Sequence, residues 1–301
     1  MKYKPAKIKT SFSRKVFVLI NSILLIGVGL ACFLPMWHVL VSSISDPAEI
    51  SKNEKFLFWI LGNPTLKGYD LVFQNKNIFN GYVNTFVQLF VSLAFSMVLT
   101  TLGAFVLSRK NVKLMPVMTF LITFTMLFSG GLIPFYMVVR NLGWIDTIWG
   151  VTIPGCVSVY NMIIMRTSFR QIPDALEESA RLDGAGDITI LIHIILPLSK
   201  AVLAVIVLFY AVSKWNAWFY PMIFLRDRSK YPLQVFLREL LVQQNQSQVT
   251  MQGETMTSDM EKYRSLIQYC TIIVATLPIL CIYPFVQKYF VTGVMLGSVK
   301  G

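Results

Sequence analysis

Apolar residues in this chain gather into six runs, at 16–41, 82–107, 114–128, 144–165, 190–212 and 265–286, with polar stretches between them. A helix needs about 20 apolar residues to cross the hydrocarbon core of a bilayer, and all but the third run reach that length. The third is shorter and passes into Ser129-Gly130-Gly131-Leu132-Ile133-Pro134. Gly and Pro together predict a broken or re-entrant helix near the outer face, where protein or water must cover the backbone. Pro154-Gly155 predicts a kink in the fourth run. The pattern as a whole predicts an all-α integral membrane protein with six transmembrane helices.

The polar stretches differ in kind. Residues 42–81 hold the turn signals Asp46-Pro47, Gly62-Asn63-Pro64 and Lys67-Gly68. Within them 56–61 (FLFWIL) is too short to span, and is expected on the membrane surface or against the bundle. Residues 231–243 place Leu233, Phe236, Leu237, Leu240 and Leu241 on one helical face, whereas 244–259 are polar and Gln-rich. That segment reads as a membrane-surface helix followed by a disordered linker.

Composition agrees with a membrane protein: 55% of residues are apolar and 14% charged. The net charge of +12 does not point to nucleic acid, because the cations sit at the ends of the runs. Lys2, Lys4, Lys7, Lys9, Arg14 and Lys15 precede the first run without an acid among them. Arg109, Lys110 and Lys113 fill the turn after the second, and Arg166 and Arg170 follow the fourth. Positive ends stay inside, so both termini are expected in the cytoplasm, with Lys200 snorkelling toward the inner surface. The expected layout is a basic tail at 1–15, a six-helix transmembrane domain at 16–286 and a cytoplasmic tail at 287–301. Its main loops are a cytoplasmic one at 171–190 and an outer one at 214–264. The first run is too long for a secretory signal and lacks a small-residue cleavage site.

Chemistry-bearing motifs are missing. Cys32, Cys156, Cys270 and Cys281 fall within apolar runs and read as small buried side chains. His38 and His193 have no clustered acid or Cys, so neither is assigned a metal or catalytic role. The sequence has no phosphate loop, no His-Glu-x-x-His and no Gly-x-Ser-x-Gly, which argues against an enzyme. The runs also carry almost no charge of the kind that marks proton or sodium coupling. Work for any transport is therefore expected from outside this polypeptide.

One polar stretch, 172–197, is built for a purpose. Pro173 suits a helix start, and Asp174, Glu177 and Glu178 follow at the positive end of that helix. Ala175, Ser179 and Leu182 recur at helical spacing as a small-residue face. Asp183-Gly184 breaks the helix, and a second segment runs from Asp187 into Pro197. A short helix, a corner and a second helix are expected to project from the membrane.

Glu178-Ser179-Ala180, Asp183-Gly184-Ala185, Leu191, Ile194, Leu196 and Pro197 resemble the EAA loop of ATP-binding-cassette importer permeases. Ser179 replaces the second motif residue, and Leu191 stands where the family often has Phe. The resemblance implies the type I importer permease fold. It also implies a loop that docks on a separate ATPase, with Glu178 meeting a basic rim and Ala180 and Gly184 permitting close approach. ATP and Mg would then belong to that partner, and this chain would carry no cofactor.

Trp215-Asn216-Ala217-Trp218-Phe219-Tyr220-Pro221, the ending 289–301 and Asn161-Met162-Ile163-Ile164-Met165-Arg166-Thr167 resemble carbohydrate-importer permeases of the maltose-type second-subunit group. They are similar to a branch handling complex oligosaccharides in Gram-positive bacteria. The implied partners are a second homologous permease, two ATPase subunits, an extracellular sugar-binding lipoprotein and the lipid of the cytoplasmic membrane, with no nucleic acid. Trp215, Asn216, Trp218 and Asn161 are candidates for a glycan path, since aromatic faces suit sugar C–H surfaces and amides suit hydroxyls. The same aromatics fit an interfacial belt, the reading that residue type alone favours. A non-sugar solute, or an ATP-independent secondary transporter, stays open as an alternative.

Overall fold

The computed structural model describes residues 11–52, 55–109, 114–245 and 263–298, and every regular element among them is helical. In chain order they are α1 (Phe12–Ser42), α2 (Pro47–Lys52), α3 (Lys67–Gln74) and α4 (Lys76–Ser108). Then come α5 (Met115–Phe124), α6 (Leu132–Asn141), α7 (Ile148–Thr152), α8 (Val159–Phe169) and α9 (Asp174–Leu182). Next, α10 (Asp187–Ile190) passes through a π segment (Leu191–Ile195) into α11 (Leu196–Leu198). The chain closes with α12 (Lys200–Trp215), α13 (Phe219–Phe224), α14 (Leu233–Asn245) and α15 (Arg264–Ser298).

Phe12–Ser42, Lys76–Ser108 and Arg264–Pro284 are long and apolar enough to cross a membrane. The pair Asp187–Leu198 and Lys200–Trp215 is a fourth candidate, bent by 87° at Ser199. The fifth run is thus no single rod, because α12 starts only after that bend. The third run yields α5, a helix of 10 residues, and α6 begins after Gly131 at φ +83°. The fourth run splits at the predicted kink. Gly155 takes φ +73° between α7 and α8, and α8 continues to Phe169. At the C-terminal end α15 stays helical to Ser298, so most of the expected tail extends the last helix. Most of the Gln-rich stretch lies outside the described residues.

The chain divides into two compact units. One comprises residues 1–72 and 250–273, the other 73–249 and 274–301. In the first, Ser42, Ser43 and Ser45 are fully buried at the end of α1. Ser45 Oγ donates to the Val41 carbonyl at 2.8 Å and accepts the Leu61 N–H at 3.1 Å. His38 Nδ1 accepts the Leu57 N–H at 3.0 Å, and its ring stacks on Phe56. These bonds lay 56–61 against α1: Leu57 is buried while Trp59 remains 81% exposed.

In the second unit α4 packs along α8, α12 and α14. Lipid tails are as apolar as Leu, so helices in a bilayer associate through close packing and hydrogen bonds. The buried positions of α4 meet both needs: Gly81, Thr85, Leu89, Ser92, Ser96, Thr100, Ala104 and Ser108 recur every three or four residues. A Cβ at Gly81 would come within 3.1 Å of the Leu233 backbone. Thr85 Oγ1 accepts the Leu233 N–H at 2.9 Å, and Thr100 shares a 2.6 Å hydrogen bond with Tyr210. The Tyr210 hydroxyl also accepts the Ser158 N–H at 2.9 Å, tying α12 to the start of α8.

The cysteines divide. Cys156 and Cys270 are buried as expected, but Cys32 and Cys281 lie exposed on helix surfaces. A bilayer accepts a small apolar side chain on the outside of a bundle as readily as a core does.

Asp146 lies not in a membrane helix but in the turn before α7, at φ 59°. Its Oδ1 accepts the N–H groups of Arg226 and Asp227 at 3.0 and 3.1 Å, and Lys230 Nζ lies 2.7 Å from Oδ2. The hydrogen bond from Lys230, helped by the two backbone donors, lowers its carboxyl from 3.8 to about 2. Asn84 and Gln88 of α4 donate to the carbonyls of Ser229, Tyr231 and Lys230, closing the other side of this clamp.

Two predictions follow from this packing. Gly81→Val should destabilise the purified chain by about 1–3 kcal/mol through overpacking, measured as its thermal midpoint in detergent. Gly29→Val, where an added Cβ meets nothing within 4 Å, should leave that midpoint unchanged. Asp146→Ala should expose Arg226, Arg228 and Lys230 to trypsin. Because the folded carboxyl is depressed, the clamp is complete above pH ~4, and is lost as pH falls through the folded value of about 2. Limited proteolysis measures both effects, with trypsin at neutral pH for the variant and with pepsin across the acid window for the unaltered chain.

Candidate functional site

The stretch 172–197 folds as a fixed corner. Pro173 precedes α9 with φ −59° and ψ 131°, and Asp174 and Glu177 occupy its first turn while Arg181 occupies its last. That distribution matches the helix dipole at both ends. At the far end Gly184 adopts φ +84°, a conformation that costs residues with a Cβ. The Gly184 N–H reaches the Arg181 carbonyl at 3.0 Å, and the Ala185 N–H reaches the Ala180 carbonyl at 2.9 Å. This pair of bonds is the Schellman closure of a helix. Ala180 and Ala185 are both half-buried and pack on the core formed by Phe105, Met165, Phe169 and Ile190. The small size of Ala180 therefore serves packing within this chain, and Gly184 serves a positive φ.

Beyond the corner, Ile190, Leu191 and Ile195 are buried at 0%, 5% and 1% exposure. The intervening helix widens to a π turn, with the Leu196 N–H bonded to the Leu191 carbonyl. Pro197 explains the widening, since its ring would clash with the carbonyl four residues back in a regular α turn. Leu191 is thus an internal anchor and Pro197 a shape-setting residue.

Sequence reasoning missed the electrostatic ties. Glu177, one residue before Glu178, pairs with Arg109 at the end of α4, and both side chains are half-buried. Arg109 is itself held by the Phe105 carbonyl at 3.3 Å and by the Phe105 ring, 4.3 Å from its Cζ. Arg181 bridges Glu177 at 3.4 Å and Asp187 at 2.5 Å, joining the two helices of the corner. The four-residue spacing of Glu177 and Arg181 was a visible signal. Nothing local to the sequence pointed to Arg109.

What remains outward is distinct. Glu178 is exposed and makes no ion pair or hydrogen bond among the described residues. Ser179 bonds back to the Ala175 carbonyl at 2.9 Å. Asp183 is exposed, as are Leu182 at 89% and Ile188 at 70%. Two large apolar side chains in a polar loop, with a free carboxylate beside them, suit a protein contact.

The glycan-path candidates separate. Trp215 is buried, donates from Nε1 to the Ala275 carbonyl at 3.3 Å, and packs edge-on against Phe86. Asn161 is buried near the start of α8, one turn above Met165. Asn216 is exposed, and its amide donates to the Val212 carbonyl at 2.9 Å. Trp218 is exposed at the start of α13, and Arg238 of α14 lies over its ring, 4.3 Å from the centroid.

Comparison with known proteins bears on this geometry. Residues 91–225 match the family of binding-protein-dependent transport system inner membrane components. The chain is 38% identical to the polygalacturonan/rhamnogalacturonan transport system permease protein YtcP of Bacillus subtilis, over 91% of this chain and 94% of that one. It is also 38% identical to the Bacillus subtilis protein LplC, over 95% and 96% of the two chains. Among solved structures, a chain of a bacterial ABC transporter involved in the import of the acidic polysaccharide alginate superposes with a TM-score of 0.83. Identity there is 30%, covering 94% of this chain and 100% of that one. The expected importer-permease fold is therefore present, and members of this group work with a binding protein, an ATPase and a further permease. On these matches the chain belongs to the inner membrane components of binding-protein-dependent transport systems, as a transport subunit rather than an enzyme.

Proposed function

We propose that this chain is one permease subunit of an ATP-driven importer of oligosaccharides, crossing the bacterial cytoplasmic membrane six times with both termini inside. It pairs with a second, homologous permease in the membrane lipid. Two ATPase subunits holding ATP and Mg dock beneath, and an extracellular sugar-binding lipoprotein delivers substrate to the 214–264 side. Relatives named for pectic and alginate polysaccharides support an oligosaccharide over a non-sugar solute. The scarcity of charge in the apolar runs supports ATP over ion coupling.

The observation that carries the reading is the corner at 172–197, rigid within and adhesive without. Its Schellman closure, the Arg181 bridge and the buried Ile190, Leu191 and Ile195 leave it no slack. Glu178, Leu182 and Ile188 face outward, available to a groove on the ATPase. When nucleotide binding moves that groove, the corner moves as a lever. Glu177 transmits the displacement to Arg109 and so to α4, the helix against which the second unit is packed. Such a device needs two arrangements that the nucleotide state biases. Trp218 and Asn216 would then meet the sugar at the outer end, with Trp215 and Asn161 behind them.

Reconstituted vesicles test this directly. Glu178→Lys should lower ATP-driven uptake at least tenfold while the chain inserts normally, and Gly184→Val should do the same by straining the corner. Arg109→Glu and Glu177→Arg should each lower uptake about fivefold by placing like charges together, and the double exchange should restore part of it, the remainder lost because it also breaks the Glu177–Arg181 pair. Normal uptake by the single variants at normal expression contradicts the lever.

A further inference from the structure

The outer end of α12 and the helices α13 and α14 carry more cations than their acids can neutralise. Asp146 is held by Lys230 at 2.7 Å, Glu239 by Arg228 at 2.7 Å, and Asp227 is occupied by the N–H and hydroxyl of Ser229. Arg238, half-buried on α14, has no carboxylate among the described residues. Its Nη1 lies 2.8 Å from the Met222 thioether, a weak acceptor, and its Cζ sits 4.3 Å from the centre of the Trp218 ring. Lys214, half-buried at the end of α12, also lacks an acid among the described residues.

A guanidinium over an indole keeps its charge, and its in-plane donors stay free for a second partner. A carboxylate suits those donors best, because its two oxygens match the fork of the guanidinium. Beside it, Trp218, Phe219 and Tyr220 remain 36%, 40% and 46% exposed, in edge-to-face contact with one another. An aromatic ledge accepts the C–H face of a sugar ring. A half-buried cation at its edge selects for an acid on that ring, since leaving the cation unpaired costs more there than in open water.

We propose that Arg238 and the aromatic ledge beside it form a seat for one uronate unit of an acidic oligosaccharide, the sugar face on the rings of Phe219 and Tyr220 and its carboxylate on the guanidinium that Trp218 holds. This deepens the importer reading, on which it rests, by naming the substrate class.

The test uses the importer complex of this chain and its partners, in vesicles of zwitterionic lipid so that no lipid anion fills the seat. Binding of tri-galacturonate and of its methyl ester is measured by calorimetry without the soluble sugar-binding component. The acid should bind at least tenfold tighter than the ester. Arg238→Gln should weaken the acid at least tenfold and the ester less than twofold. Arg226→Gln removes the same charge from an exposed neighbour and should change either ligand less than twofold. Equal binding of acid and ester, an acid affinity unmoved by Arg238→Gln, or an equal loss in Arg226→Gln overturns the seat. Loss of the second permease from the Arg238→Gln complex also overturns it, by making this face a subunit contact. ATP-driven uptake in the same preparation separates the two readings. Uptake of neutral trisaccharides without acid binding leaves the importer and removes the seat, whereas acid binding with no ATP-dependent uptake removes the importer.

Discussion

In a bilayer, helices gain nothing by hiding Leu from lipid, so a bundle stands only where helices approach closely or share hydrogen bonds. In the second unit α4 supplies both along one stripe. Gly81 lets the Leu233 backbone in, Thr85 bonds to it, and Thr100 meets Tyr210. Everything that positions a functional side chain refers back to this helix. Its first half braces the 229–231 segment through Asn84 and Gln88, and its last residues lead into Arg109 at the corner. One helix therefore touches both ends of the proposed transport cycle.

The corner itself shows how a short motif encodes geometry. Gly184 takes a backbone angle that resists a side chain, Ala180 and Ala185 fit where larger residues would lift the helix from the core, and Pro197 forces the π turn. Four motif positions are thus explained by the fold of this chain alone. Glu178 and its apolar neighbours are the ones left facing away from it. This division separates residues that shape the lever from residues that present it.

Much of this was legible in the sequence. Apolar runs located the helices, Pro173 and Asp183-Gly184 bounded α9 correctly, and Pro154-Gly155 marked a true break. The long runs misled where a break hides in apolar sequence. Residues 190–212 read as one span because Ser199 is a weak signal, yet the chain turns there by 87°. Asp146 and Lys230 attract each other across a distance that no local spacing rule covers, as do Arg109 and Glu177. Trp215 read as a glycan-path or belt residue, yet it is buried, because residue type does not report which face of a helix is covered.

The central claim is that the corner at 172–197 is the surface on which the ATPase acts. Its most direct test is the accessibility of Leu182→Cys to a membrane-impermeant maleimide, in a chain whose four native cysteines are replaced by Ser. Labelling should occur in inside-out vesicles stripped of the ATPase, fail in right-side-out vesicles, and be blocked when the ATPase is restored. Labelling from the outer side, or equal labelling with and without the ATPase, would contradict it.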